Sequence, residues 1–302
     1  MTRALVLGGG GPVGIAWESG LIAGFAEKGV DLSSADYIIG TSAGSVVGAQ
    51  LALGASAASL VAPMLASSAP GNAATASAES RPQTMPTPDL STLITKMQEL
   101  VSGRRPPEQA RAEIGAWALT APTMMSEEVW VANFARMVPE KKWPNRKYEC
   151  TAIDTADGSF QVWNKDSGVE IERAVASSCA VPGIFPPVTI RGRRYMDGGM
   201  RSPTNADLAK GYDTVVVVAV TAGPRNNDMA RRFGEILDNE VKILRDSGAR
   251  VELVIPDEKS LEAFGLNLMD SSRRMDAAKA GIRQGQADAE KLRSAWNQRS
   301  AK

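Results

Sequence analysis

Ser42 sits in Gly40-Thr41-Ser42-Ala43-Gly44, the single G-x-S-x-G of the sequence, directly after the apolar triplet Tyr37-Ile38-Ile39. A serine raised on a tight strand-to-helix turn is the usual setting of an acyl-transfer nucleophile, because small flanking residues let the turn close and leave the hydroxyl clear of the sheet. Such a serine needs a base, and the chain contains no histidine. A Ser-His-Asp triad and a Cys-His pair are therefore excluded, which leaves a carboxylate or a lysine. Asp197-Gly198-Gly199, after Arg194-Tyr195-Met196, offers a carboxylate. Taken alone, Asp-Gly-Gly reads as any turn.

A second chemical feature lies near the start, in Gly8-Gly9-Gly10-Gly11-Pro12-Val13-Gly14. Consecutive glycines at a helix start turn several backbone N–H groups towards one point, where a phosphate or an oxyanion can be held. Gly9, Gly11 and Gly14 also satisfy the dinucleotide pattern G-x-G-x-x-G. That reading needs an acidic residue at the end of the second strand to hold the ribose. Gly40-Thr41-Ser42 stands there instead.

The elements that must position these groups follow from periodicity. Ala4–Leu7 reads as a short buried strand, followed by a helix from about Gly14 with Trp17, Leu21 and Phe25 on one face and Gly29 closing it. Tyr37–Ile39 is a second strand, and a second helix runs through Val46, Val47 and Leu51. Strand, helix, strand, helix predicts a parallel sheet with helical crossovers, a three-layer α/β/α fold. Residues 66–90, rich in Ala, Ser, Pro and Thr, read as a linker or lid. Residues 108–137 read as helical, with Ser126 as N-cap and Trp130, Phe134 and Met137 on one face. The stretch 56–140 is thus expected to be a helical, lid-like insertion in one domain spanning 1–302. Trp117, Trp130, Phe134 and Met137 would line a lid, rest on lipid or simply pack as core. Further strands are expected at Lys147–Ile153 and Ser159–Trp163, joined across Asp157-Gly158, then at Arg194–Met196, Thr214–Val220 and Val251–Ile255. Helices are expected at Glu170–Ser178, 227–246 and 271–297.

Composition narrows the field further. Lysine plus arginine equal aspartate plus glutamate at 34 each, so no global field favours nucleic acid. Cys150 and Cys179 alone provide no disulfide framework, which suits a reducing cytoplasm, and they are too few for a zinc site. No metal or cofactor is expected. No apolar run reaches the roughly 18 residues of a spanning helix, and none near Met1 is long enough for a secretory signal.

The glycine loop, the serine elbow, the distant Asp-Gly-Gly and the missing histidine together resemble the patatin-like phospholipase family. Ala176-Ser177-Ser178-Cys179-Ala180-Val181-Pro182-Gly183-Ile184-Phe185-Pro186-Pro187-Val188 also resembles that family's approach to its catalytic aspartate. The resemblance covers residues 3–54 and 148–223. It implies Ser42 as nucleophile and Asp197 as proton acceptor. It also implies an oxyanion hole from the amides of Gly9, Gly10, Gly11 and Ala43, with Gly14, Gly40, Gly44, Gly198 and Gly199 as motif glycines. The implied activity is hydrolysis of lipid or other acyl esters, with peripheral membrane contact as a further expectation. An acyltransferase using the same acyl-serine, or a non-catalytic phosphate or nucleotide binder using the Gly8–Gly14 loop, are the alternatives. The sequence departs from the family in one place: the arginine or lysine usual before the last loop glycine is replaced by Val13, preceded by Pro12. The loop therefore holds no cation for an anionic headgroup.

Overall fold

The computed structural model describes residues 1–66 and 90–297. The linker expected at 66–90 lies almost wholly outside the described residues. The first half of the fold runs β1 (Arg3–Leu7), α1 (Gly11–Glu27), β2 (Tyr37–Gly40), α2 (Ala43–Ala52), α3 (Ala57–Ala66), α4 (Leu90–Val101), α5 (Pro107–Ala118) and α6 (Glu127–Met137). It continues with β3 (Lys147–Asp154), β4 (Phe160–Trp163), α7 (Ile171–Ser178), β5 (Val188–Ile190) and β6 (Arg193–Asp197). The chain closes with β7 (Thr214–Val218), α8 (Asp228–Asp246), β8 (Arg250–Val254), α9 (Glu258–Phe264) and α10 (Arg274–Trp296).

The strands form one sheet in the order β5-β6-β3-β2-β1-β7-β8, with β4 also paired to β3. The β3-β2-β1-β7-β8 stretch is parallel, whereas β4 and β6 run antiparallel to β3. The central position of β7 explains its sequence: all five residues of Thr-Val-Val-Val-Val are buried, because helices cover both faces. Alternation sends Leu5, Leu7, Val216 and Val218 into the core under α1 and α2, and Ala4, Val6, Val215 and Val217 into the core under α8. Burying one such valine contributes roughly 1.5–3 kcal/mol before entropy is counted.

Helix α1 is buried on nearly its whole circumference. Trp17, Leu21 and Phe25 belong to the core, while Gly20 and Gly24 face α10. A Cβ on Gly20 would collide with Ala278 O, one on Gly24 with Ile282 O, and ones on Gly281 and Gly285 with Trp17 O and Leu21 O. The two helices therefore touch backbone to backbone.

Several boundaries move from the expectation. Helix α1 starts at Gly11 rather than Gly14, because Pro12 supplies the first-turn φ and lacks the N–H that would go unused there. The 108–137 stretch divides into α5 and α6, with Pro122 in the break. Ser126 does cap α6, accepting from Val129 N–H. The 157–158 hairpin forms as expected, with Gly158 at φ 69°. Strand β5 and helix α9, three and seven residues long, were too short to carry a periodic signal. The helices between α2 and β3 serve both faces: α6 packs on α7, whereas α4 and α5 cover a small core of Met97, Ile114, Ile153, Met196 and Met200 on the α8 side.

Candidate active site

Ser42 occupies the turn between β2 and α2 at φ 52°, ψ −118°, a left-handed value that a side chain adopts only under constraint. The constraint is visible. The Ser42 N–H donates to Ser178 Oγ at 3.0 Å, and its carbonyl accepts from Ser45 Oγ at 2.6 Å and from Cys179 Sγ at 3.2 Å. The flanking glycines are required for closeness rather than for φ. A Cβ on Gly40 would meet Gly44 O, and one on Gly44 would meet Leu7 O, both well inside contact distance.

Asp197 ends β6. It reaches Ser42 through β3, which pairs with β2 on one side (Gly40 opposite Cys150) and with β6 on the other (Ala152 opposite Asp197). A Cβ on Gly198 would collide with Thr151 Oγ1 of β3, so the glycine lets the turn lie flat on that strand. Asp197 Oδ1 accepts the Gly199 N–H at 2.7 Å, and its own N–H donates to Ala180 O at 3.0 Å. Oδ2 is buried and has no hydrogen-bond partner among the described residues. Burial pushes the carboxyl up to about 7, against smaller opposing effects from the Gly199 N–H and the nearby Ser42 hydroxyl. The hydroxyl is thus close enough to act on the carboxyl without completing a hydrogen bond to it, as is common before substrate closes a site. A buried, unpaired carboxyl is not a base by virtue of burial alone. Glu18 on α1 is also buried with both oxygens unpaired among the described residues, and neither carboxyl lines the cavity at Ser42; what sets Asp197 apart is the Ser42 hydroxyl beside it.

The glycine loop abuts the elbow. A Cβ on Gly9 would lie 3.3 Å from Ser42 Cβ, and one on Gly14 would lie 3.3 Å from Ala43 Cβ. Its amides are not equivalent. Gly9 N–H donates to Pro203 O at 2.8 Å. The N–H groups of Gly10, Gly11 and Ala43 have no partner among the described residues. They stand at the N-termini of α1 and α2, where both helices add positive potential.

Ser42 opens into a cavity of about 320 Å³. Trp130, Phe134 and Met137 of α6 and Phe185 form its apolar wall. Trp130 stacks on Phe185 with centroids 3.8 Å apart, and its Nε1 donates to Ala176 O. Trp130 and Phe134 are therefore buried wall residues, and Trp117 packs against Gly183. Within the segment Ile184–Val188, Phe185 lines this cavity and Val188 belongs to β5. A larger cavity of about 440 Å³, by Val220 and Leu253, includes neither Ser42 nor Asp197.

Sequence reasoning assigned no role to several residues that hold the site. Ser178 and Cys179, at the end of α7, fix the Ser42 backbone. Asn205, fully buried, donates from Nδ2 to Thr41 Oγ1 at 3.0 Å and Ser202 O at 2.8 Å, while Thr41 Oγ1 meets Thr151 Oγ1 at 3.0 Å. This polar knot ties the elbow to the strand beneath Asp197. No spacing rule marks these residues, since their partners lie on other elements. Among the described residues no cluster of His, Cys, Asp and Glu could hold a metal, and no helix is long and apolar enough to cross a membrane.

No curated protein matches the sequence. Among solved structures, VipD from Legionella pneumophila aligns over 96% of this chain and 67% of its own, with 13% identity and a TM-score of 0.44. The type III effector protein ExoU aligns over 96% of this chain and 53% of its own, with 18% identity and a TM-score of 0.38. The chain thus spans about half the length of ExoU. The patatin-like phospholipase pattern matches residues 5–210, well over half of the sequence, and the chain belongs to that family of lipid acyl hydrolases.

Proposed function

We propose that the protein hydrolyses acyl esters of lipids through an acyl-enzyme on Ser42. The observation that carries this reading is the buried Asp197 Oδ2, unpaired among the described residues and next to a serine held in a strained elbow. As Ser42 Oγ attacks the ester carbonyl, its proton passes to Asp197, and the carbonyl oxygen becomes an oxyanion beside the amides of Gly10, Gly11 and Ala43. Asp197 then returns the proton to the departing alcohol. Water attacks the acyl-serine by the same route, giving the fatty acid and free Ser42. The Trp130, Phe134 and Phe185 wall accommodates the acyl chain.

Hydrolysis of p-nitrophenyl esters of increasing chain length by wild type, Ser42→Ala and Asp197→Asn tests the reading. Activity in wild type and loss of more than about 10³-fold in both variants is the expected result. Full activity in Ser42→Ala refutes it.

Contact with a lipid surface is assigned to the loop after α9 and not to the buried α6 aromatics. Leu266 there is fully exposed, two residues before Leu268 and three before Met269, which lines the Ser42 cavity. Leu266→Asp is expected to weaken sedimentation with phosphatidylcholine vesicles while hydrolysis of a soluble ester is kept. Unchanged sedimentation removes the assignment.

A further inference from the structure

The glycine loop lacks the cation expected of it, and the fold explains why none fits there. Val13 is fully buried in the core under α1 and its N–H is taken by Leu268 O at 3.3 Å. A charge at that position would be desolvated. A cation nevertheless lines the Ser42 cavity. It is Arg274, the first residue of α10, far along the chain and beyond the family match.

The guanidinium of Arg274 is poorly satisfied. Its Nε is buried and has no hydrogen-bond partner among the described residues. Among the described residues Nη2 reaches only Met64 Sδ, at 3.4 Å, and a thioether is a weak acceptor. No carboxylate among the described residues lies within ion-pair distance of it, whereas Arg273 next door pairs with Asp270. A half-buried cation without an anion is costly unless a ligand completes it. Helix α10 is itself firmly placed. The Gly20, Gly24, Gly281 and Gly285 contacts hold it backbone to backbone on α1, the helix whose N-terminus carries Gly10 and Gly11. Arg274 and the loop amides are therefore parts of one rigid pair.

We propose that Arg274 binds the anionic headgroup of the substrate, replacing the missing loop cation, so that the preferred ester carries a phosphate near its scissile bond. The cavity then has a division of labour. The acyl chain lies against Trp130, Phe134 and Phe185, and the phosphate meets Arg274 on the wall formed by Met269, Ser271 and Arg274. A planar guanidinium with free N–H groups suits two oxygens of one phosphate. The proposal rests on the hydrolase reading of the cavity, but it is testable without turnover.

The test is calorimetric binding to Ser42→Ala protein of three probes: 1-hexanoyl-glycerol 3-phosphate, uncharged 1-hexanoyl-glycerol and inorganic phosphate. The phosphorylated ester is expected to bind ~10- to 100-fold more tightly than either other probe. Arg274→Gln in the same background is expected to erase that advantage while leaving the uncharged ester's affinity unchanged, and Arg274→Lys to restore part of it. Equal affinity for charged and uncharged esters, or an advantage that survives Arg274→Gln, overturns the proposal. Inorganic phosphate binding as tightly as the phosphorylated ester overturns it too, since the site would then be one for free anion. Hydrolysis plays no part in these readings, so failure of the esterase assay and failure of this inference are separate results.

Discussion

The two strand ends that carry Ser42 and Asp197 are built on opposite principles. At the end of β2, both backbone polar groups of Ser42 are bonded and the residue is held at a strained φ of 52°. At the end of β6, Asp197 has ordinary backbone angles and one carboxyl oxygen without a partner among the described residues. The nucleophile is fixed by over-determined geometry, whereas the base is set by desolvation. Damage to the first region should therefore appear as lost folding or misplacement. Damage to the second should appear as a changed titration.

The largest effect is expected from Gly44→Ala. Its new Cβ would strike the Leu7 carbonyl, and the elbow cannot move without breaking the hydrogen bonds that hold it. A loss of ~3 kcal/mol or failure to fold, read by urea denaturation, is expected. A near-neutral result would mean that the elbow is not over-determined.

Asp197→Asn should do the reverse, abolishing activity while raising stability. The carboxyl titrates at an ordinary 3.8 when unfolded and at about 7 when folded. Between those values the native state holds the extra proton, so stability falls as pH rises through this window and the deficit is complete above about 7. Asparagine stays neutral and can still accept the Gly199 N–H. It should gain on the order of 4 kcal/mol at pH 8 and almost nothing at pH 4, read as denaturation midpoints at both pH values. Equal gains at both would remove the desolvation account. In wild type, the same titration predicts that kcat/KM rises with pH and levels off above about 7, since only the ionised carboxylate accepts a proton. A flat profile from about pH 5 to 9 would count against Asp197 as base.

A smaller effect distinguishes holding from chemistry. Ser178→Ala removes the acceptor of the Ser42 N–H, with an expected loss of ~1–2 kcal/mol of stability and ~10-fold in kcat. The pH inflection should not move. A shifted inflection would couple the two regions more closely than their contacts imply.

Most of the parallel core was legible from the sequence, because buried runs such as Thr214–Val218 and the strand–glycine–helix alternation each carry a local signal. The elbow was legible for the same reason, since five consecutive residues encode it. What holds the elbow was not. Ser178, Asn205 and Thr151 act across elements, and a serine, an asparagine or a threonine in a turn or strand has many ordinary uses. The aromatic stripe on α6 left open whether it faces water, lipid or core. Only its packing on α7 and Phe185 decides that it faces inward. Arg274 was invisible in another way: nothing local marks the first residue of a C-terminal helix as lining a cavity built by the N-terminal half.

The glycine seam between α1 and α10 bears on where this domain ends. Residues 5–210 carry the family pattern, yet within them one side of α1 is a strip of bare main chain at Gly20 and Gly24. Among the described residues the atoms nearest that strip belong to α10, and no Cβ added there would fit while α10 is present. Helix α10 is thus a structural wall supplied from beyond the family stretch, and a truncation at residue 210 would expose a groove down the middle of the core.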